Sequence, residues 1–190
     1  MDEKSEVHVK GSALTSTRKF VSAKYGDLGW DRVLSALPEG DRELLSKRVL
    51  VSNWYPFSSF INLLSTADKL LGTGDMALCT DMGRFSAEND LSSIYMVFNK
   101  EANPHLIISR AASIWKTYYD SGSMEIGERG DNSVAVRIVD FAEPAKPHCR
   151  RVQGWIEMAL SLAGGVEPKV AETKCRCAGD EFCEFICSWK

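Results

Sequence analysis

Apolar residues recur at the spacing of an α-helix through most of the chain up to residue 118. Between residues 12 and 25, the side chains of Leu14, Val21 and Tyr25 share one side of a predicted helix, and Gly26 is a natural end for it. Pro56 suits the first turn of a later helix, because its missing N–H is not needed there. The predicted helices cover residues 12–25, 27–37, 41–47, 56–71, 76–98 with an interruption near Gly83, and 103–118.

The period then changes from helical to alternating, which is typical of β-strands. Segments 124–127 and 134–139 alternate around a hairpin turn at residues 130–132, and segments 170–177 and 183–189 form a second predicted hairpin. A helix is predicted between the hairpins, over 148–162. This order predicts an α+β fold: an antiparallel sheet from two C-terminal hairpins packed against helices, with a helical N-terminal region. The predicted division is a flexible N-terminus (1–12, with Val7 and Val9 in a short edge strand as the alternative), a helical region (13–84) and a ligand-binding domain (85–190).

Composition is that of a soluble globular protein, with 44% apolar and 26% charged residues in 190. The formal charge of −3 and the lack of a basic stripe argue against nucleic acid as a partner. The start of the sequence carries no secretory signal, and its apolar stretches are too short for a membrane span. These features predict a cytoplasmic protein, where clustered cysteines are metal ligands or redox groups more often than disulfides.

Four cysteines and a glutamate in the last part of the chain have spacings that suit a metal ion: Cys149, Glu172, Cys175, Cys177 and Cys183. Thiolates and a carboxylate can complete the tetrahedron that zinc prefers. In a regular strand Cys175 and Cys177 share a face and Glu172 points away, unless a bulge intervenes. Residue spacing alone therefore favours the four cysteines, with Glu172 as second choice. A Cys177–Cys183 disulfide or free buried thiols are the alternatives.

The C-terminal part, over about residues 85–190, resembles the 4-vinyl reductase domain family. That resemblance implies a sensor or carrier of small hydrophobic or aromatic molecules, similar to the zinc-containing input domains of phenol-responsive regulators. It implies structural zinc held by Cys149, Glu172, Cys175 and Cys183, with Cys177 in reserve. The residues that carry the resemblance are Tyr118 to Gly122, Cys149, Gly154 to Glu157, Gly164, Gly165, Cys175, Gly179, Asp180, Cys183 to Phe185, and Trp189.

A ligand pocket is expected between helices and sheet near the metal. Its candidate residues, from pattern alone, are Phe98, Ile107, Trp115, Tyr119 and Trp155. Large apolar side chains at such positions are more often plain core. A pocket also needs a few polar groups, which the Tyr119 hydroxyl and the two indole N–H groups would supply.

The N-terminal part is more weakly similar to helical leads of related bacterial proteins, and it is faintly similar to haem–nitric-oxide-binding domains. The residues that carry this similarity are Gly11, Phe20, Tyr25, Gly26, Trp30 and Trp54 to Pro56. Those gas sensors use a Tyr-x-Ser-x-Arg clamp, and this chain has Tyr119 and Ser121 at the right step but Ser123 in place of the arginine, which argues against haem. The sequence therefore predicts a non-enzymatic ligand-binding module that forms a homodimer. The alternatives are a scaffold subunit without ligand, dimeric through its N-terminal helices, and a redox enzyme that uses Cys149 or Cys177 as a reactive thiol.

Overall fold

The computed structural model describes residues 6–98 and 103–190, with the backbone alone for 92–98 and 114. The described chain forms helices and two antiparallel sheets, which confirms the α+β class. Its helices are α1 (Gly11–Ala36), α2 (Glu39–Ser46), α3 (Phe57–Leu71), α4 (Ala77–Phe98), α5 (Pro104–Tyr118) and α6 (Lys146–Leu162), and a short 3-10 helix covers Arg176–Ala178. Its strands are β1 (His8–Lys10), β2 (Trp54–Pro56), β3 (Ser123–Gly130), β4 (Ser133–Val139), β5 (Lys169–Lys174) and β6 (Cys183–Ser188).

The N-terminal region agrees with the prediction at one joint and differs at another. Gly26 has a non-helical backbone, with a positive φ of 71° that favours glycine, and it separates two helical segments of α1 by a kink, as predicted. Pro56 does not lie inside α3: it closes β2, which pairs antiparallel with β1 through Val9 and Tyr55. The sequence indicated β1 as an alternative but did not indicate β2. The alternating residues of β1 stand out, whereas β2 is too short to show a period.

The larger sheet has the order β3-β4-β6-β5, so the two predicted hairpins join through β4 and β6. Register shifts between Glu172 and Lys174 where β5 pairs with β6. A bulge of this kind turns a side chain to the opposite face of its strand. It is the irregularity that Glu172 needs in order to meet Cys175.

Helices α4 and α6 cross at two glycines, in direct backbone contact. A Cβ atom on Gly83 would lie 2.0 Å from the carbonyl oxygen of Arg151, and one on Gly154 would lie 2.0 Å from that of Thr80. The predicted interruption of α4 near Gly83 is therefore wrong, because this glycine permits close helix packing instead of breaking the helix.

The predicted boundary between residues 84 and 85 falls inside α4, and the division into regions stays a prediction. Within the described ranges, no helix combines the length and the apolar character needed to cross a bilayer.

Candidate functional site

A cavity of about 70 Å³ lies between α1, α4, α5, α6 and the start of β3. Most of its wall is apolar or aromatic, as ligand pockets usually are. Two charged groups, Asp90 and Arg151, also belong to the wall, which is unusual for a space enclosed by helices. The lining residues are Ala13, Ser86, Asp90, Ala111, Trp115, Tyr118, Tyr119, Met124, Arg151, Val152 and Trp155.

Three of the five predicted pocket residues, Trp115, Tyr119 and Trp155, line this cavity together. Ile107 is buried in α5 but does not line the cavity, and the side chain of Phe98 lies outside the described residues. Whether any of them contacts a ligand stays a prediction.

The two indole N–H groups expected as polar contacts for a ligand are already engaged within the protein. The Trp115 indole donates to the Ser121 carbonyl oxygen at 3.0 Å, and the Trp155 side chain hydrogen bonds with Asp90. Tyr119 packs on Trp115 with ring centroids 4.5 Å apart, and burial raises the pKa of its hydroxyl to about 12. A ligand would therefore find its polar partner elsewhere in the wall.

Arg151 is a buried charged group in this wall, and sequence reasoning missed it. Its side chain is 5% exposed, and its guanidinium donates to the Met82 carbonyl oxygen at 3.2 Å and to the Ser86 hydroxyl at 3.1 Å. The Ser86 hydroxyl in turn lies 3.2 Å from a carboxylate oxygen of Asp90, whose pKa burial raises. An arginine in the second turn of an amphipathic helix is normally a surface residue, so nothing in the pattern marked it.

His148 lies in the first turn of α6 and faces the core. It is 3% exposed, and burial lowers the pKa of its imidazole to about 3. Its Nε2 atom has no hydrogen-bond partner within the described part of the chain. Four aromatic rings surround it at centroid distances between 4.9 and 6.0 Å: Phe57, Trp115, Tyr119 and Phe141.

The structure also brings together four of the five predicted metal ligands. The sulfur of Cys149 lies 3.9 Å from that of Cys175 and 3.9 Å from that of Cys183. A carboxylate oxygen of Glu172 completes a group whose ligand atoms all lie within 4.8 Å of one another. Cys177, the reserve ligand, is exposed in the 3-10 turn and is not in this group, so the preference from strand alternation was wrong.

A lysine provides positive charge at this cluster. The Nζ atom of Lys146 hydrogen bonds to Cys175 and lies 3.3 Å from a carboxylate oxygen of Glu172, and these contacts raise the lysine pKa. The sulfurs of Cys149 and Cys183 lie at hydrogen-bonding distance, and this contact raises the pKa of Cys149 and lowers that of Cys183. The ammonium group of Lys146 beside them favours charge-assisted hydrogen bonds in the cluster.

Comparison with solved structures identifies the fold. A crystal structure of an H-NOX protein from S. oneidensis in the Fe(II)NO state aligns with a TM-score of 0.72 and 15% identity, covering 95% of this chain and 99% of that one. The fold is that of the H-NOX proteins. An unliganded Fe(II) mutant from K. algicida gives 0.69 at 15% identity over 95% and 96% of the two chains, and an oxygen-binding H-NOX domain related to soluble guanylate cyclases gives 0.67 at 12% over 95% of each. No protein-family model and no curated protein matches the chain.

The resemblance to the 4-vinyl reductase family is wrong, since the solved structures that share this fold are H-NOX domains. The residues that carried it included the turn Cys175 to Cys183, where Gly179 adopts a positive φ of 100°. Glycine and aspartate recur at such positions because of turn geometry, and turn geometry is common to many families.

Zinc as cofactor is also wrong as a prediction, because the metal named for these H-NOX neighbours is Fe(II). The physical reason for the error is visible in the cluster. Spacing shows that sulfur and carboxylate atoms converge, but it does not show what balances their charge. Here the Lys146 ammonium group lies 3.3 Å from a carboxylate oxygen of Glu172 and supplies positive charge beside the sulfurs.

Proposed function

We propose that this protein is a small-molecule binding module, of the sensor type, that holds a compact hydrophobic or aromatic ligand in the cavity between α4, α5 and α6. The observation that carries the proposal is an aromatic-lined cavity with a buried polar cluster in its wall. Such a combination is the usual composition of a ligand site. The fold gives further support, because H-NOX proteins that share it have been solved with NO, CO and oxygen as ligands.

Binding is favoured over catalysis by the same comparisons, since one of these neighbours is an NO-ligated protein and another is an oxygen-binding domain. The redox alternative through Cys149 is disfavoured by its environment. Its thiol lies at hydrogen-bonding distance from Cys183 and is buried, which raises its pKa, whereas a reactive cysteine needs a lowered pKa. The predicted homodimer stays a prediction, which light scattering on the purified protein decides.

Haem, the group named for one H-NOX neighbour, does not fit the cavity as the described residues build it. The cavity holds about 70 Å³, whereas sites for drug-sized ligands need at least about 300 Å³. None of the three histidines, His8, His105 and His148, lines it. Direct contact of α4 and α6 at Gly83 and Gly154 leaves no room there for a large flat ring system.

Small neutral aromatic compounds test the proposal directly. We expect phenol and toluene to bind the purified protein in ligand-observed NMR and to quench its tryptophan fluorescence. Ala111→Leu places three extra carbons in the cavity wall and should abolish binding, because Ala111 is buried there. Ala36→Leu is the matched control, since Ala36 is exposed at the end of α1 and does not line the cavity.

Binding that Ala111→Leu and Ala36→Leu weaken equally would place the ligand elsewhere and refute the proposed site. An Ala111→Leu protein that melts like the wild type but no longer binds would support it. A chain that binds no small aromatic or aliphatic compound at millimolar concentration would favour the scaffold alternative.

A further inference from the structure

We infer that the ligand of this cavity is a small organic acid, whose carboxylate binds the Arg151 guanidinium while its apolar body packs against Ala111, Met124 and Val152. The inference rests on the proposed function and adds the chemical class of the ligand. Its basis is a buried positive group that lines the cavity and has no ion pair among residues 6–98 and 103–190.

The guanidinium of Arg151 has more N–H donors than hydrogen bonds within the described residues. It offers five N–H donors and stays protonated in proteins, and its two hydrogen bonds go to the neutral oxygens of Met82 and Ser86. Within residues 6–98 and 103–190, no carboxylate oxygen lies within 4.0 Å of it. Its only close aromatic partner in that part of the chain is the Phe60 ring, 5.3 Å from the guanidinium carbon. Buried charges are ordinarily paired, so the missing partner points to an anion that the described residues do not supply.

Asp90 does not fill this role. Its carboxylate is separated from Arg151 by the Ser86 hydroxyl, and its oxygens already accept from Ser86 and from the Trp155 side chain. Burial raises the pKa of Asp90, and the nearby charge of Arg151 lowers it. Because the Ser86 hydroxyl lies between the two groups, Asp90 interacts with Arg151 at a distance and not as a direct ion pair.

The shape of a carboxylate matches the remaining N–H donors of the Arg151 guanidinium. Guanidinium and carboxylate groups form two parallel charge-assisted hydrogen bonds, which are stronger than neutral ones. The remaining wall offers methyl, thioether and aromatic surface, which suits a short alkyl chain or a single ring. The volume of about 70 Å³ is on the order of half the 150 Å³ of an engineered cavity that accepts benzene, so the acid must be small.

Matched pairs of acid and amide separate this inference from the proposed function. Propionate is compared with propionamide, and butyrate with butyramide, by calorimetry on the full chain at constant ionic strength. We expect each acid to bind about ten- to a hundred-fold more tightly than its amide, the range of a charge-assisted hydrogen bond. Arg151→Met should remove that preference while the amide affinity changes less than about three-fold. Arg150→Met is the control, because Arg150 is the neighbouring arginine of α6, bonds to Gln153 and does not line the cavity.

Each possible result either supports or overturns the acid inference. Amides or phenol that bind as tightly as the acids would overturn the acid inference and leave the proposed function standing. A folded Arg151→Met protein that keeps the acid preference would also overturn it. If none of the acids and none of the neutral compounds binds, both are overturned. Should Arg151→Met not fold, Arg151→Lys, which keeps the charge, and the acid–amide comparison on the wild type still give the answer.

Discussion

The glycine crossing of α4 and α6 predicts a specific cost for a single added methyl group. In Gly154→Ala the new carbon would lie 2.0 Å from the Thr80 carbonyl oxygen, 2.8 Å from its carbonyl carbon and 3.0 Å from its Cγ2 atom. Carbon–oxygen contacts normally lie at about 3.3 Å or more, so the two helices must separate by roughly 1 Å at this point. The closest obstacle is backbone, which cannot rotate away as a side chain can.

Two opposing terms set the magnitude. Overpacking of a well-packed core costs about 1–3 kcal/mol, and a backbone obstacle places this site at the upper end. Alanine in place of glycine in a helix gains about 1 kcal/mol, which offsets part of the cost. We expect Gly154→Ala to lower the free energy of unfolding by about 2 kcal/mol, or the melting temperature by about 4–8 °C.

Urea denaturation followed by tryptophan fluorescence measures this loss. Gly40→Ala in α2 is the matched control, since a Cβ atom there meets nothing within 4 Å and should be neutral or stabilising by up to about 1 kcal/mol. Because Gly83 and Gly154 share one crossing, the double variant should lose less than the sum of the single ones. If Gly154→Ala proved as stable as Gly40→Ala, the direct contact between α4 and α6 would be refuted.

Two further predictions concern titratable groups. The imidazole of His148 has a pKa of about 3 when folded against 6.5 when exposed. The unfolded chain therefore gains a proton below pH 6.5 that the folded chain does not, and stability falls as pH drops from about 6.5 toward 3. At pH 5 the loss is about 2 kcal/mol relative to pH 7.5, and denaturation of His148→Phe should show a correspondingly smaller loss; an unchanged pH profile would contradict the assignment. For the six cysteines, of which Cys177 alone is exposed, a thiol reagent should modify one residue quickly and the others only on unfolding. Cys177→Ser should abolish the fast phase, and a fast phase that survives would mean that the thiol cluster opens in the native state.

Much of the fold could be predicted from the sequence because its elements have clear periods. The strand alternation of 134–139 and the apolar face of α6 were sufficient for the sheet and its covering helix. The tertiary roles of glycines could not be predicted in this way: Gly83 looks like a helix breaker in the sequence, yet it lies in close contact with another helix. Local pattern reports on one element, whereas close packing depends on two.

The site was predicted less completely, for a related reason. Trp115, Tyr119 and Trp155 were found because aromatic residues near a sheet usually face inward, and the cysteines were found because their spacing is distinctive. Arg151 has neither signal, and its burial depends on Ser86 and Met82 from a helix some seventy residues away. The bulge after Glu172 was also invisible, since it depends on how β5 pairs with β6.

The order of strands in the larger sheet has a consequence for how the chain folds. Each hairpin, β3–β4 or β5–β6, closes over neighbouring residues and can form early. The seam between them pairs Val134 with Cys187, partners that are far apart in sequence with α6 between them. Long-range pairing of this kind is slow, because the entropy of closing a long loop is lost before the new contacts stabilise the structure. We therefore expect two preformed hairpins to wait for α6 to dock, so that joining of β4 to β6 limits the rate of folding.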